Sequence, residues 1–141
     1  MILYLDASAL VKLYVPETDS ATIKALVDAA EMSSTSRIAY AEARAAFARK
    51  RREQAVTLRD YRTIVQDLDN DWESFFVVDV SESLIKRAGQ LAERAALRGY
   101  DAVHLASAVI MAEQGDQAVT FACFDEKLSR AARRQGLTVL A

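Results

Sequence analysis

Short apolar runs alternate with longer stretches of helical periodicity along the whole chain. The runs at 2–5, in "FFVVDV", in "AVTFACF" and in "LTVLA" have the length of buried strands, and "EMSSTS" predicts one further brief strand. Between these runs, apolar residues recur every three or four positions, or Ala, Arg and Glu dominate, as is typical of helices. The predicted helices cover 8–14, 20–30, 37–53, 57–73, 82–97, 101–113 and 125–135.

Residues that start or stop helices support these boundaries. Pro16 ends the first helix, Ser81 caps the fifth, Gly99 breaks the fifth after about Leu97, and Gly136 ends the last. Five strands in alternation with about seven helices predict an α/β fold. We expect a three-layer α/β/α sandwich in one domain over 1–141, with both faces of a parallel sheet covered by helices.

Composition narrows the class of protein. The chain has 141 residues, of which 52% are hydrophobic and 27% charged, and this balance is typical of a globular domain. No apolar run approaches the roughly 20 residues of a membrane-spanning helix, so no membrane partner is expected. The single cysteine excludes an internal disulfide and favours a reducing, cytoplasmic location. A formal net charge of −2 gives no global attraction to nucleic acid, so binding RNA would require local positive charge or a metal.

Four acidic residues stand at positions that favour function over solubility. Asp6 and Asp125 directly follow predicted strands, and functional groups in parallel sheets gather beyond the carboxyl ends of strands. Asp101 opens "DAVHLASAVIMA", which is apolar nearly all round and is therefore predicted to be buried. Glu42 has only apolar residues three and four positions away, which predicts an inward orientation.

Each acid also has an ordinary structural explanation. Asp6 and Asp125 suit helix N-caps, which contribute about 1 kcal/mol each. Asp101 suits the positive end of a helix dipole. Glu42 would be accommodated by pairing with an arginine, because a buried glutamate is rare without a partner.

Together the four acids point to a metal site. Two carboxylates about 5 Å apart repel by roughly 3 kcal/mol at an effective dielectric of 20, so four of them in one cleft need protons or a divalent cation. Ligands that are all oxygen favour Mg²⁺ or Mn²⁺ over zinc.

Four segments resemble the PIN-domain ribonucleases, specifically the VapC-type toxins of VapBC toxin–antitoxin systems. They are "YLDASALVKLY", "AEARAAFAR", "GYDAVHLASA" and "FDEKLSRAARRQGL", and their order and spacing span nearly the whole chain. The resemblance implies a five-stranded parallel sheet in the order 3-2-1-4-5 and Mg²⁺-dependent cleavage of RNA. It also implies a catalytic and metal-binding quartet of Asp6, Glu42, Asp101 and Asp125, with Asp6 and Asp101 as the direct ligands.

The chain departs from this family near its fourth acid. Many relatives carry Thr or Ser just before that position, whereas "TFACFDEKL" has Cys123 and Phe124 there. This departure leaves the role of Asp125 open, with Glu126 as an alternative that equally suits a first-turn helix charge. Ser8 matches a family position for a small hydroxyl that supports the site, although a local helix cap explains it as well.

Other polar residues receive smaller roles. Lys12 and Arg37 lie near the expected cleft in sequence and are predicted to contact RNA. A general base at His104 is less favoured than a hydrogen-bonded core residue, because its helix is apolar. The family pattern gives this histidine no catalytic role.

The resemblance also implies partners, and two rival functions stay open. A cognate antitoxin is expected to block the cleft, within a homodimer or a toxin–antitoxin hetero-oligomer. The first rival is a catalytically inert PIN-like binding module. The second is an aspartyl-phosphate enzyme or receiver, which "LDASAL" disfavours because it lacks a second Asp at the nucleophile loop. The RNA target, and one metal ion or two, are open at this point.

Overall fold

Five parallel strands form one sheet at the centre of the molecule. A computed structural model of the chain describes residues 1–140. The strands are β1 (Ile2–Leu5), β2 (Met32–Ser36), β3 (Phe76–Val78), β4 (Val119–Ala122) and β5 (Thr138–Val139). Their order is β3-β2-β1-β4-β5 and every pairing is parallel. The predicted α/β fold and the strand order implied by the resemblance are confirmed.

Seven helices connect the strands within the described residues. They are α1 (Ala7–Lys12), α2 (Ser20–Ala29), α3 (Ala39–Arg52), α4 (Leu58–Trp72), α5 (Glu82–Ala95), α6 (Gly99–Gln114) and α7 (Glu126–Arg134). None of the helices within 1–140 combines the length and the apolar surface that crossing a bilayer requires.

Alternate residues of β1 enter two separate hydrophobic clusters. Leu3 and Leu5 pack with Leu10, while Tyr4 packs in the other cluster with Phe121. Because successive side chains of a strand point to opposite faces, both faces of the sheet are buried under helices. The central position of β1 explains why its short apolar run is completely buried beyond Ile2.

The structure corrects the predicted burial of the third strand. "FFVVDV" is predicted to be a buried strand, yet Phe76 is 52% exposed and the rest of β3 is only partly buried. β3 pairs with β2 alone, and an edge strand lacks neighbours on one side.

Several predicted boundaries are also wrong by a few residues. Asp125 does not follow β4 directly, because the pairing with β1 ends where Leu5 meets Ala122. Gly99 does not break the fifth helix but begins α6, because α5 already ends at Ala95, followed by Ala96 in the left-handed conformation (φ 53°). The predicted strand "LTVLA" shrinks to β5, and its last residue lies outside the described residues.

The strand order places a crevice beside β1. The chain moves outward from β1 through β2 to β3 and then returns to β4 on the other side of β1. Ligands of open parallel sheets bind at such a reversal, beyond the carboxyl ends of the strands. Asp6 follows β1 at this point, so the topology predicts a binding site among the residues around Asp6.

Candidate active site

A cavity of about 320 Å³ lies at the carboxyl ends of β1 and β4, and all four predicted acids line it. The complete lining is Asp6, Ala7, Ser8, Glu42, Arg98, Asp101, His104, Phe124 and Asp125. These residues come from four separated parts of the sequence. The predicted convergence of the acids is therefore a property of the fold.

Asp6 is the most buried of the four acids. It is 5% exposed and is the N-cap of α1, where its Oδ1 accepts hydrogen bonds from Ser8 Oγ at 2.7 Å and from Ala9 N at 2.9 Å. Burial raises the pKa of Asp6 above its usual value, although the neighbouring His104 and these two hydrogen bonds act in the opposite direction. Asp6 is thus both a helix cap and a cavity residue.

Asp101 and Asp125 share a cation. Arg98 Nη2 lies 3.1 Å from Asp101 Oδ2 and 3.9 Å from Asp125 Oδ2. Asp125 is also the N-cap of α7, because its Oδ1 accepts a hydrogen bond from Leu128 N at 2.9 Å. The interpretation of Asp125 as a helix cap is confirmed, and it does not remove Asp125 from the cavity.

Arg98 is a residue that the sequence analysis missed. It precedes the first turn of α6, where the helix dipole disfavours a cation. An arginine placed unfavourably before a helix and three residues from an acid indicates an ion pair with that acid. This spacing could have identified Arg98 as a residue of the site.

Glu42 is held by a histidine rather than by an arginine. It lies in the first turn of α3, and its Oε1 is 2.7 Å from His104 Nε2. The expected arginine partner is therefore wrong: α6 brings His104 against α3, whereas Arg44 donates to Tyr40. The prediction that His104 is a hydrogen-bonded core residue is confirmed, since it is 1% exposed.

The two predicted RNA-contacting residues differ in their distance from the cavity. Lys12 Nζ pairs with Glu17 at 3.2 Å and lies 4.7 Å from the ring centre of Phe124, which lines the cavity. Arg37 pairs with Asp79 at 2.7 Å, and neither of these residues lines the cavity. The structure brings Lys12 next to the site and leaves Arg37 outside it.

The residues around the fourth acid have structural roles of their own. Cys123 is 3% exposed, its Sγ lies 3.1 Å from Ser129 Oγ, and burial raises its pKa to about 11. Glu126 is not among the cavity residues, and its side chain is 84% exposed and pairs with Arg130. Asp125 is therefore the acid of this segment that reaches the cavity.

The acids do not form a ready-made set of metal ligands. Within residues 1–140, no three His, Cys, Asp or Glu side chains stand close enough together to hold one metal ion. Arg98 relieves part of the charge repulsion between the acids, because it pairs with both Asp101 and Asp125. The sequence-based prediction, which required protons or a divalent cation, did not include this arginine. Asp6 has no ion-pair partner within the same residues, so its buried charge is the least compensated of the four.

The fold and the site together define a class of protein: an α/β sandwich with an acidic cavity at the point where its strand order reverses. The chain belongs to the PIN domain family, whose model matches residues 3–134. It is 39% identical over 142 residues to Ribonuclease VapC45 of Mycobacterium tuberculosis (strain CDC 1551 / Oshkosh), with 98% of this chain and 94% of that protein covered. Ribonuclease VapC49 of Mycobacterium tuberculosis (strain ATCC 25618 / H37Rv) matches with the same identity and coverage.

Solved structures agree on the fold. FitAcB from Neisseria gonorrhoeae superposes with a TM-score of 0.68 at 20% identity, covering 100% of this chain and 97% of that one. VapBC2 from Rickettsia felis, bound to a DNA fragment from their promoter, gives a TM-score of 0.64 at 16% identity and covers 99% and 98%. The resemblance to VapC-type PIN-domain proteins is confirmed by these comparisons.

Proposed function

We propose that this protein is a Mg²⁺-dependent endoribonuclease and the toxin component of a type II toxin–antitoxin pair. The observation that carries the proposal is that Asp6, Glu42, Asp101 and Asp125 line one cavity at the carboxyl edge of the sheet. The 39% identity to two proteins named ribonuclease supports the choice of RNA as substrate. The single cysteine favours action in the cytoplasm.

The residues of the cavity fit a hard divalent cation. Its acids offer only oxygen ligands, which suit Mg²⁺ or Mn²⁺. Mg²⁺ is usually held by one or two carboxylates and otherwise by water and substrate phosphates, so a preformed trio of ligands is not required. The buried charge of Asp6, which has no ion-pair partner within residues 1–140, is the feature that a cation would stabilise. Asp6 and Asp101 would hold it directly, with Glu42 and Asp125 assisting.

When bound, the cation would supply the positive charge that stabilises the phosphate oxygens and activates the attacking water. Ser8 and the amide of Ala9 hold the orientation of Asp6 for this role. Glu42 is engaged through Oε1, so Oε2 is the atom proposed to accept a proton from the water, with Asp125 Oδ2 as the alternative. The expected products carry 5′-phosphate and 3′-hydroxyl ends.

Arg98 has a second proposed role, as a contact for the substrate. Its side chain is 80% exposed, and its partners are the two acids Asp101 and Asp125. Once a cation neutralises these acids, the guanidinium is free to bind a phosphate of the substrate bidentately. This would supply the local positive charge that the overall composition lacks.

The activity test uses purified protein and structured RNA, with Mg²⁺ and with a chelator. Asp6→Asn should abolish cleavage because it removes the buried charge that holds the cation. Asp60→Asn is the matched control, since Asp60 is an exposed acid in the first turn of α4. Cleavage that persists in the chelator, or equal cleavage by Asp6→Asn, would contradict the proposal.

A catalytically inert binding module is the second candidate function, because each of the four acids already has a hydrogen-bond partner in the chain. Asp6, Asp101 and Asp125 each accept a hydrogen bond from the chain itself, and Glu42 is bonded to His104. Calorimetric titration with Mn²⁺ separates the two hypotheses. An inert module should give no binding heat that depends on Asp6.

An antitoxin partner and a homodimer or hetero-oligomer complete the proposal. The partner is expected to be encoded by a neighbouring reading frame and to cover the cavity, using the alanine-rich faces of α2 and α3. Co-expression with that frame should yield a stable complex in which RNA cleavage is suppressed. A complex that cleaves RNA at the rate of the free protein would contradict this part.

A further inference from the structure

Three residues from three elements form a buried chain of hydrogen bonds that ends at the cavity. Tyr4 OH on β1 lies 2.8 Å from His104 Nδ1 on α6, and His104 Nε2 lies 2.7 Å from Glu42 Oε1 on α3. Tyr4 is fully buried and His104 is 1% exposed. Glu42 is therefore the most accessible member: His104 borders the cavity but is almost completely buried, and Tyr4 does not line it.

The direction of the chain follows from its last member, because a carboxylate oxygen accepts hydrogen bonds. Oε1 of Glu42 therefore accepts from Nε2 of His104, which carries the ring proton. In a neutral imidazole the other nitrogen is an acceptor, so Nδ1 accepts the hydroxyl proton of Tyr4. A hydrogen bond at one imidazole nitrogen thus determines what the other nitrogen offers.

Packing prevents the aromatic members from reorienting. The ring of Tyr4 stacks on Phe121 with centroids 5.5 Å apart and planes 6° from parallel. The same ring meets the edge of His104 at 5.8 Å. Close packing in the core holds the hydroxyl and the imidazole in one arrangement, and both belong to buried secondary structure.

We propose that Tyr4 and His104 are positioning residues, which fix Glu42 by its Oε1 and leave Oε2 for the chemistry of the cavity. This inference rests on the proposed nuclease function. It requires no change in the charge of either residue. Hydrogen-bonded partners that orient an active-site group commonly contribute about 10- to 100-fold to activity.

Tyr4→Phe tests the inference with little change in packing, because only the hydroxyl is removed. It should lower kcat for RNA cleavage about 10-fold while KM for RNA stays unchanged. Tyr14→Phe is the matched control: Tyr14 donates to Asp71 at 2.9 Å and does not line the cavity. If Tyr4 had only a structural role, Tyr4→Phe and Tyr14→Phe would both lose thermal stability, and Tyr4→Phe would show no selective fall in kcat at unchanged KM.

A double-mutant cycle with Glu42→Gln localises the effect. If Tyr4 acts through Glu42, Tyr4→Phe should lower kcat in the wild-type background and have no further effect in Glu42→Gln. An equal loss in both backgrounds, or an unchanged kcat in Tyr4→Phe, would overturn the inference.

The histidine itself provides a readout that needs no RNA. His104 is the only histidine in the chain, so ¹⁵N NMR of the imidazole reports one residue without assignment. The expected spectrum has a protonated Nε2 and an unprotonated Nδ1, and a protonated Nδ1 would overturn the hydrogen-bond chain. A wild-type protein that cleaves no RNA would overturn the proposed function instead, and the spectrum would still decide the arrangement of Tyr4, His104 and Glu42.

Discussion

Arg98 donates to Asp101 across the start of α6: its Nε donates a hydrogen bond to Oδ2 at 3.1 Å, and its Nη2 lies 3.1 Å from the same oxygen. The same nitrogen lies within 4 Å of Asp125, so one guanidinium pairs with both Asp101, a proposed direct ligand of the cation, and Asp125, a proposed assisting acid. A positive side chain and a divalent cation compete for the same carboxylate oxygens. In the free protein Arg98 would therefore substitute for part of the charge of the proposed cation.

Arg98→Gln is expected to tighten the binding of Mn²⁺ and to weaken cleavage. Removal of the competitor should lower Kd for Mn²⁺ by about two- to fivefold, a modest factor because exposed ion pairs are weak. Cleavage should fall because the proposed phosphate contact is lost. Calorimetry and RNA cleavage measure the two effects, and Arg94→Gln is the control on the last turn of α5. Weaker Mn²⁺ binding by Arg98→Gln would show that Arg98 supports the metal site.

Asp6→Asn is expected to stabilise the metal-free protein while it abolishes activity. Burial raises the pKa of Asp6, so between the unfolded and the folded pKa the folded state holds a proton that the unfolded state has released. The free energy of unfolding contributed by Asp6 therefore falls as pH rises through that interval and stays lowered above it. Asparagine can still accept the hydrogen bonds of Ser8 and Ala9, but it carries no buried charge.

The measurement is thermal unfolding in a chelator at two pH values. Tm of Asp6→Asn should exceed that of the wild type by about 3 °C or more at pH 8, and by less near pH 4. Saturating Mn²⁺ should raise Tm of the wild type only, because the ligand binds the folded state. A lower Tm of Asp6→Asn at pH 8 would mean that the cap hydrogen bonds outweigh the burial of charge.

Lys12 and Arg37 should differ in their contribution to RNA binding. Lys12 lies beside Phe124 at the cavity, so Lys12→Gln should raise KM and reduce the slope of log K against log salt by about 0.7. Arg37→Gln should leave that slope unchanged, because its charge is paired with Asp79 outside the cavity. The salt dependence of RNA binding measures both. Equal slopes for the two variants would remove Lys12 from the binding site.

Cys123 is expected to be unreactive in the folded protein. With a pKa raised to about 11 by burial, only about one thiol in a thousand is ionised at pH 8, and the side chain is almost inaccessible. A disulfide reagent should react slowly in buffer and rapidly in denaturant, as followed by absorbance. Fast reaction in buffer would indicate local opening around β4.

Much of the fold could be predicted from local pattern, because strands and helices impose different periods on apolar residues. The buried run at 2–5 and the helix over 20–30 correspond closely to β1 and α2. The placement of Asp6 after a strand also identified it as a cavity residue, since the carboxyl ends of parallel strands share one edge. The strand order came from resemblance to a family, because apolar periodicity does not encode which strands become neighbours.

The partners of the acids were decided by tertiary structure alone. Glu42 and His104 are 62 positions apart, and only the tertiary fold brings their side chains together. Arg98 is only three residues before Asp101 in sequence, yet its contact with Asp125 depends on where α7 begins. Sequence by itself determined the fold class and the residue types of the site, because these follow from local spacing. The pairing of charges and hydrogen bonds required the folded chain, because side-chain contacts depend on distances that no local pattern contains.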